Sequence, residues 1–485
     1  MKTTVIKRLL LVTTLLVGLA ACDKNLEPYN AKSDETALSA PSDLQTATYG
    51  TYAGLVNADY TLNLYWMSQY PDDDVALSGT TSNTLYNNYT YTHFPGMVNT
   101  TAFWRQSYKV IYSANRIIER IKDGESTMLD QLKGENLYLR ALAHFNLVRF
   151  FGRPYPQGQG QNPGIVIKDN TLNDQPGRKT VKEVYEFVIA DLLKAAALMT
   201  VNKNSSFASK EVAYALLSRI YLYKEDNANA IVYANKVLTS NRYKLLETDP
   251  YKKYFTSVPE SNTETIFAIR HTNADNRFKS AIGNQFYNDP VTQSTGYGES
   301  YASQVLVDLV DQNPQDVRHS FIEPQRDATG KMLTRGNTPK YYMNKFNWQE
   351  GVANLSSPVI SRLAEMYLIR AEANAKLGNA QLALDDVNLI RRRAALTGAA
   401  QYTLGELKGR GTVLSVVLEE KRLEFFLEGH RYFDLFRNNL PMVRAYTGFH
   451  GTDHFNFTVL PNNPRVVYFI PEDETIVNPN LVQNP

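Results

Sequence analysis

Two well-separated stretches of the chain have the periodicity of paired amphipathic helices. In residues 210–238 and 362–394, an aromatic and aliphatic helical segment ends in a polar break, KEDNAN or KLGNAQ, and a second helical segment follows. Small residues occupy equivalent places in the second segments, at Ala230 and Ala383. They would let the two helices approach closely, as in tetratricopeptide-type hairpins. We therefore expect a mostly α-helical scaffold built from helix pairs.

Two further segments support this fold class. Residues 103–123 place Trp104, Tyr108 and Ile111 on one helix face, which predicts a helix with Trp104 in the core. Residues 134–152 repeat the pattern and stop at a glycine followed by prolines, so a helix end is predicted there.

The remaining folded sequence is less regular. Residues 250–357 are rich in Asn, Gly, Thr and Tyr, with short strand-like pieces such as TIFAIR at 265–270. Residues 413–437 predict another long helical stretch, broken at Gly429, and the tail from residue 470 has the composition of irregular structure. We expect loops and small strands carried on the helical scaffold.

The N-terminus has the features of an export signal. Lys2, Lys7 and Arg8 precede an apolar run that is too short to span a bilayer, and small residues then lead to Cys22, the single cysteine of the chain. The order Leu-Ala-Ala-Cys resembles the bacterial lipobox, in which the cysteine sulfur receives a diacylglyceryl group. The alternative is an ordinary signal peptide followed by an incidental cysteine. A lipid on Cys22 would anchor the chain to a membrane.

The overall charge argues against one large class of partners. The chain has 51 Lys and Arg against 49 Asp and Glu, a formal net charge of +2. No strong field would steer it to a polyanion, so nucleic acid is not an expected partner.

Two C-terminal motifs carry a family resemblance. Residues 418–437, LEEKRLEFFLEGHRYFDLFR, and residues 470–485, IPEDETIVNPNLVQNP, closely resemble signature motifs of the SusD/RagB family of nutrient-binding outer-membrane lipoproteins. Matches at the lipobox and at the helices described above occur in the same order. One departure from the family pattern is Lys421, where an arginine is usual, and we expect this change to be tolerated on a solvated face.

The resemblance implies a fold, a partner and a location. The fold would be a SusD-like scaffold of tetratricopeptide-like helix pairs, with a less regular, loop-rich part that binds ligand. The protein would act as the lid of a SusC-like TonB-dependent outer-membrane transporter and capture oligosaccharides at the cell surface, without being an enzyme. The implied organisation is a signal peptide at 1–21, a lipid-anchored tether at 22–40 and a body at 41–485, with parts at about 41–250, 250–357 and 358–485.

The residues themselves give little support to catalysis or to a bound metal. Glu420, Glu424 and Glu428 are spaced i,i+4 on one predicted helix face among cations, which favours ion pairing over a pair of catalytic carboxyls facing each other across a sugar. His430 belongs to no metal-binding His pair, and no nucleophile motif or phosphate loop occurs. We expect a binding protein with no cofactor and no metal.

A saccharide site needs flat aromatic faces edged by hydrogen-bonding groups. Tryptophans and tyrosines in predicted loops are the best platforms, with nearby aspartates as hydroxyl partners; a structural turn is the other interpretation of the aspartates. The candidate ligand-binding residues are Trp66, Tyr70, Asp72, Asp73, Tyr287, Tyr297, Tyr301 and Trp348.

Other functions stay open at this point. The ligand could be an oligopeptide, or the chain could be a tetratricopeptide-type scaffold that holds only protein partners. Three consecutive aspartates at 72–74 do not have the spacing of an EF-hand calcium loop.

Overall fold

The computed structural model describes residues 37–78, 85–289, 296–450 and 453–485. The described residues from Thr48 to Pro485 form one compact unit, and the described residues 37–47 belong to another. The helices are α1 (Pro41–Val56), α2 (Ala58–Gln69), α3 (Tyr86–Tyr89), α4 (Val98–Ile118), α5 (Thr127–Phe151), α6 (Val181–Leu198), α7 (Lys210–Tyr223), α8 (Asn227–Leu238), α9 (Thr248–Tyr251), α10 (Gln304–Asp311), α11 (Leu363–Lys376), α12 (Ala380–Arg393), α13 (Val413–Phe425), α14 (Arg431–Arg437) and α15 (Glu472–Val477).

Helix pairs form the scaffold, as the periodicity predicted. Helix α5 packs against α4 and α6, α7 against α8, and α11 against both α8 and α12. Ala230 and Ala383 are fully buried at these contacts. The approach at Ala230 is close enough for the Ser218 hydroxyl to donate to the Ala230 carbonyl at 2.9 Å. The mostly α-helical, tetratricopeptide-like fold class is confirmed.

The helix ends follow local chemistry. Ser126 caps α5 by accepting the amide of Leu129 at 3.2 Å, and Gly152 ends it, as predicted. A Cβ added to Gly152 would lie 3.0 Å from the Val148 carbonyl oxygen and 3.0 Å from the Val181 side chain. A larger residue would therefore crowd this helix end. Trp104 is buried in the core, as its position on the helix face predicted.

Short antiparallel strands connect the less regular segments. They are β1 (Val75–Leu77), β2 (Thr265–Ala268), β3 (Ser300–Ala302), β4 (Ile322–Pro324), β5 (Thr334–Arg335), β6 (Thr338–Pro339), β7 (Tyr341–Met343), β8 (Val359–Arg362), β9 (Met442–Ala445) and β10 (Asn456–Val459). They pair only in twos: β1 with β3, β2 with β8, β4 with β7, β5 with β6 and β9 with β10. Strand β2 coincides with the predicted TIFAIR segment. Its partner β8 leads directly into α11, which ties the loop-rich part to the helical scaffold.

The C-terminal motif residues lie in the interior. Glu424 on α13 is fully buried and ion-paired with Arg362 and Arg393, and Glu420 pairs with Arg318 and Arg391, both at 2.7 Å. The predicted ion pairing of these carboxylates is therefore present, but the partners come from other elements rather than from the same helix face. Because unpaired buried charge is costly, each carboxylate requires these distant cations.

Lys421 is not on a solvated face, so that expectation is wrong. Its side chain is 3% exposed, and the ammonium lies 2.8 Å from Glu372 and 3.0 Å from Asp434. Helix α13 packs against both α11 and α14, which turns this side of the helix inward. Burial lowers the pKa of Lys421, but Asp434 and Glu372 outweigh it, so the pKa is raised and the group stays charged.

The tail is more ordered than its composition predicted. Residues Glu472–Val477 form the short helix α15. Asn484 then donates to the carbonyls of Phe151 at 2.9 Å and Tyr468 at 2.6 Å. The closing motif thus fastens the chain end to the helix end at Gly152.

The predicted signal peptide at 1–21, Cys22 and most of the tether at 22–40 lie outside the described residues. Within the described part of the chain, every helix is too short or too polar to cross a membrane.

Candidate functional site

Four aromatic side chains from separate parts of the chain form one cluster, which we call the aromatic cluster: Tyr287, Tyr301, Tyr342 and Trp348. The Tyr342 ring lies 5.7 Å from that of Tyr287 and 5.8 Å from that of Tyr301. The three tyrosines are buried, and Trp348 packs against them half-buried. Three of its four members are residues that the sequence singled out.

Two strands and two loops position these rings. Tyr301 is in β3 and Tyr342 is in β7, and these strands lie side by side. Gly298 has φ +53, and an added Cβ there would come within 2.8 Å of the Tyr342 ring. A glycine is therefore needed both for the turn and for the position of Tyr342.

Trp348 is held in an unusual backbone conformation. Its φ is 63, in the left-handed region, and the Asn347 side chain accepts the Trp348 amide at 2.9 Å. Asn347 also accepts the amide of Asn354, so it closes the loop 347–354 on itself. Non-glycine residues in this conformation concentrate at ligand sites, where the surrounding structure holds the strain.

Charged and exposed groups border the cluster. Glu323 in β4 is directly opposite Tyr342 in the strand pair, and Arg335 binds Glu299 at 3.0 Å. Tyr297, also predicted, is 51% exposed, and its amide donates to the Asn284 carbonyl at 2.8 Å. The cluster thus combines three buried tyrosine rings and one partly exposed tryptophan ring with charged groups nearby.

The phenols of the cluster stay neutral. Burial raises the pKa of Tyr301 and of Tyr342 above the ordinary tyrosine value. Burial also raises the pKa of Tyr287, and a hydrogen bond from Trp348 only partly opposes this. At neutral pH these hydroxyls are therefore both donors and acceptors.

Trp66 and Tyr70 pack with the main hydrophobic core rather than in the aromatic cluster. Contrary to prediction, Trp66 is not in a loop: it lies in the last turns of α2, and its indole N–H donates to the Ile282 carbonyl at 3.2 Å. Tyr70 is fully buried, and its hydroxyl accepts from Ser300 at 2.7 Å. Helix α2 ends just before Pro71, as predicted. Trp66 and Tyr70 precede that end, and their side chains pack into the protein.

Asp72 and Asp73, for which the sequence allowed either a role as hydroxyl partners or a structural turn, are both buried. Asp73 binds Arg431 at 2.7 Å, and neighbouring Asp74 binds Arg422 at 2.6 Å. Burial raises the pKa of Asp73, but Arg422 and Arg431 outweigh it and hold the pKa well below its usual range. Asp72 accepts the Asp74 amide at 2.9 Å, which is the structural turn that was the other interpretation.

Tyr342 was missed by sequence reasoning. It lies in the segment YYMNKFNW at 341–348, six residues before Trp348, but β7 is only three residues long, too short for alternation to identify a face. No group of three or more His, Cys, Asp or Glu side chains in the described residues could hold a metal ion.

Comparisons with known proteins agree with this architecture. The model of the SusD family matches residues 218–485, more than half of the chain, and a family model described as starch-binding and associating with the outer membrane matches residues 25–222. A SusD-like protein P2 of Formosa agariphila is 27% identical, over 97% of each chain.

Solved structures give the same result. A SusD superfamily protein from Bacteroides vulgatus has 29% identity and a TM-score of 0.80, covering 92% of this chain and 98% of that one. Another, from Bacteroides thetaiotaomicron, has 26% identity and a TM-score of 0.80, covering 92% and 99%.

Proposed function

Because this chain belongs to the SusD family, we propose that it is a cell-surface lipoprotein that binds oligosaccharides at the aromatic cluster and does not cleave them. The observation that carries the proposal is the cluster itself: three buried tyrosines packed beside a half-buried tryptophan, with charged groups at the edge. The description of the matching N-terminal family model as starch-binding points to the same ligand class.

The chemistry of the cluster suits a sugar ring. The C–H face of a pyranose stacks on flat aromatic surface, and Trp348 offers the largest ring of the four. Hydroxyls at the edge of the sugar would meet the Arg335–Glu299 pair, whose side chains are 41% and 22% exposed. Tyr297 would extend the platform toward solvent, and Tyr70 would support the strand that carries Tyr301 through its hydrogen bond with Ser300.

The delivery step is part of the proposal. We expect the protein to cover a SusC-like TonB-dependent transporter as a lid and to be tethered by lipid on Cys22. The outer-membrane association in the description of the N-terminal family model supports this location. In membrane fractionation, Cys22→Ala should move the protein to the soluble fraction without changing its unfolding transition. Membrane retention of that variant would refute the lipid anchor.

Calorimetric titration with linear gluco-, xylo-, manno- and galacto-oligosaccharides, and with oligopeptides in parallel, tests the ligand class. We expect at least one sugar series to bind, with binding abolished by Trp348→Ala. The matched control is Tyr112→Ala on α4, an aromatic residue 47% exposed and outside the cluster, which should bind as the unchanged protein does. Heat from peptides alone would favour the oligopeptide alternative instead.

Fluorescence gives an independent measurement, since the chain has only three tryptophans. Trp104 is buried at 2% exposure and should not respond to ligand. A change in emission on adding the sugar that binds, absent in Trp348→Phe, would place the sugar at the cluster. The same change persisting in Trp348→Phe would move the site elsewhere.

A further inference from the structure

A cleft separate from the aromatic cluster opens between α1 and the end of β2. Its volume is about 450 Å³, which is within the usual range for small-molecule sites of about 300–1,000 Å³. One wall is a stripe of α1 residues spaced i, i+3, i+4 and i+7: Tyr49, Tyr52, Ala53 and Val56. Phe267, Ala268 and Ile269 form the facing wall.

Aromatic rings line one end of this cleft. The Phe207 ring lies 5.3 Å from Tyr52, edge to face, and 5.9 Å from Tyr49. The Tyr52 hydroxyl is already engaged inside the protein, since it donates to Glu135 at 2.9 Å and accepts the Ala208 amide at 2.8 Å. Its ring, rather than its hydroxyl, is therefore what Tyr52 presents to the cleft. Tyr49 is 46% exposed.

The opposite rim carries a charged pair. Arg270 binds Glu260 at 3.1 Å, and their side chains are 24% and 26% exposed. Ser206, also on the rim, donates to Glu260. An apolar floor edged by a partly exposed carboxylate and guanidinium matches a molecule with C–H faces and hydroxyl edges, because neighbouring hydroxyls can donate to the carboxylate and accept from the arginine.

Arg270 also connects this cleft to the aromatic cluster. Its guanidinium reaches Glu350 at 3.6 Å, and Glu350 is two residues from Trp348 in the same loop. Gln349, between them, donates to the carbonyl of His271, the neighbour of Arg270, at 3.2 Å. The loop that presents Trp348 therefore lies against the rim of the cleft.

From this continuity we infer that the cleft is a second saccharide subsite, which takes a further ring of the same oligosaccharide that the aromatic cluster holds. The inference rests on the proposed function and adds to it a ligand requirement: the sugar must be long enough to pass from Trp348 along the Arg270–Glu350 contact to Tyr49 and Phe207. Disaccharides would occupy the cluster alone.

Calorimetry with the same linear oligosaccharides, from disaccharides upward in length, tests this requirement. Affinity of the unchanged protein should rise with chain length. Tyr49→Ala and Arg270→Gln should each remove most of that rise, about tenfold in Kd for the long oligomers. Tyr49→Ala, which lies outside the Trp348 loop and its contacts, should leave the affinity for short ones unchanged. Tyr112→Ala is the matched control because it removes an equally exposed tyrosine elsewhere.

The possible failures are distinguishable. If Trp348→Ala abolishes binding but both cleft variants keep the length dependence, or if the unchanged protein shows none, the second subsite is refuted and the proposed function stands. If no oligosaccharide binds the unchanged protein, or only peptides bind, both the second subsite and the proposed function are refuted. Circular dichroism and thermal unfolding of each variant confirm that an affinity loss is not a folding loss, and Tyr49→Ala keeps the test valid if Arg270→Gln fails to fold.

Discussion

Arg362 holds Glu428 through two parallel hydrogen bonds in the protein interior, Nε to Oε2 and Nη2 to Oε1, each at 2.9 Å. The two side chains are 2% and 4% exposed. Arg362 is the last residue of β8, and Glu428 follows α13, so this contact joins the strand that pairs with β2 to the C-terminal motif. The same guanidinium also reaches Glu264 at 3.0 Å and Glu424.

Arg362→Met should therefore destabilise the protein strongly. Loss of the guanidinium leaves Glu428 and Glu424 buried with fewer cations, at a cost of about 3–5 kcal/mol for one broken buried pair. Denaturant unfolding followed by circular dichroism measures this loss. Lys244→Met is the control, since Lys244 and Glu247 are 3.8 Å apart and 78% and 81% exposed, and it should change stability by less than about 1 kcal/mol. Equal effects of the two variants would contradict the role given to the buried network.

Replacement of Lys421 should cost less than replacement of Arg437. Both cations bind Glu372 and Asp434, but Arg437 donates to Glu372 through two nitrogens at 2.6 Å and to Asp434 as well. After Lys421→Met both carboxylates still have Arg437, so a loss of about 1–3 kcal/mol is expected. Arg437→Met should lose about 3–5 kcal/mol. Chemical denaturation of both variants side by side decides the order, and a reversed order would mean that Lys421 is the main partner.

The helices were predictable because the spacing of apolar residues along a short stretch of sequence is enough to show a helical period. The burial of the charged residues in the C-terminal motif was not predictable. Glu420 and Glu424 with adjacent cations have the same local pattern on a solvated helix and on a buried one. What decides between the two is the approach of Arg318, Arg362 and Arg393, which are far away in sequence.

The candidate site shows the same contrast between features set by neighbouring residues and features set by residues far away in sequence. Tyr287, Tyr301 and Trp348 were found because aromatic residues in polar, loop-like sequence are unusual, and three of them do meet. The role of Asp72 and Asp73 could not be decided from the sequence, because nothing local reveals that Asp73 pairs with Arg422 and Arg431 or that Asp72 closes a buried turn. The charge of Asp73 is neutralised inside the fold by these two arginines.

Stability should fall as the pH falls below about 6.5, because several histidines are buried in the neutral form. His144 is fully buried: one ring nitrogen lies 2.9 Å from the Arg140 carbonyl, and the other accepts the Lys168 amide at 3.2 Å. Burial lowers the pKa of His144 to about 3. Between about pH 6.5 and 3, His144 is protonated in the unfolded chain but neutral in the folded chain. Acid therefore favours unfolding by up to about 1.4 kcal/mol per pH unit for this residue.

Urea unfolding midpoints at neutral and mildly acidic pH measure this dependence. His144→Gln should lower stability at neutral pH and also reduce the loss on acidification, because the glutamine cannot bind the extra proton. His454→Gln, at an exposed position, is the matched control for the loss of an imidazole and should leave the stability at neutral pH nearly unchanged. An unchanged slope in His144→Gln would show that His144 is not among the groups that destabilise the fold in acid.

Gly298→Ala should weaken oligosaccharide binding by more than its effect on stability explains. An added Cβ would lie 2.8 Å from Tyr342 Cε1 and 2.9 Å from its hydroxyl, so the Tyr342 ring must move within the aromatic cluster. The matched control is Gly330→Ala: Gly330 also has positive φ, +84, but no atom lies within 4 Å of its added Cβ. Both variants should lose about 1–2 kcal/mol from the strained backbone, measured by chemical denaturation. Only Gly298→Ala should raise the Kd for the sugar that the unchanged protein binds, and equal Kd values in the two variants would remove Tyr342 from the binding surface.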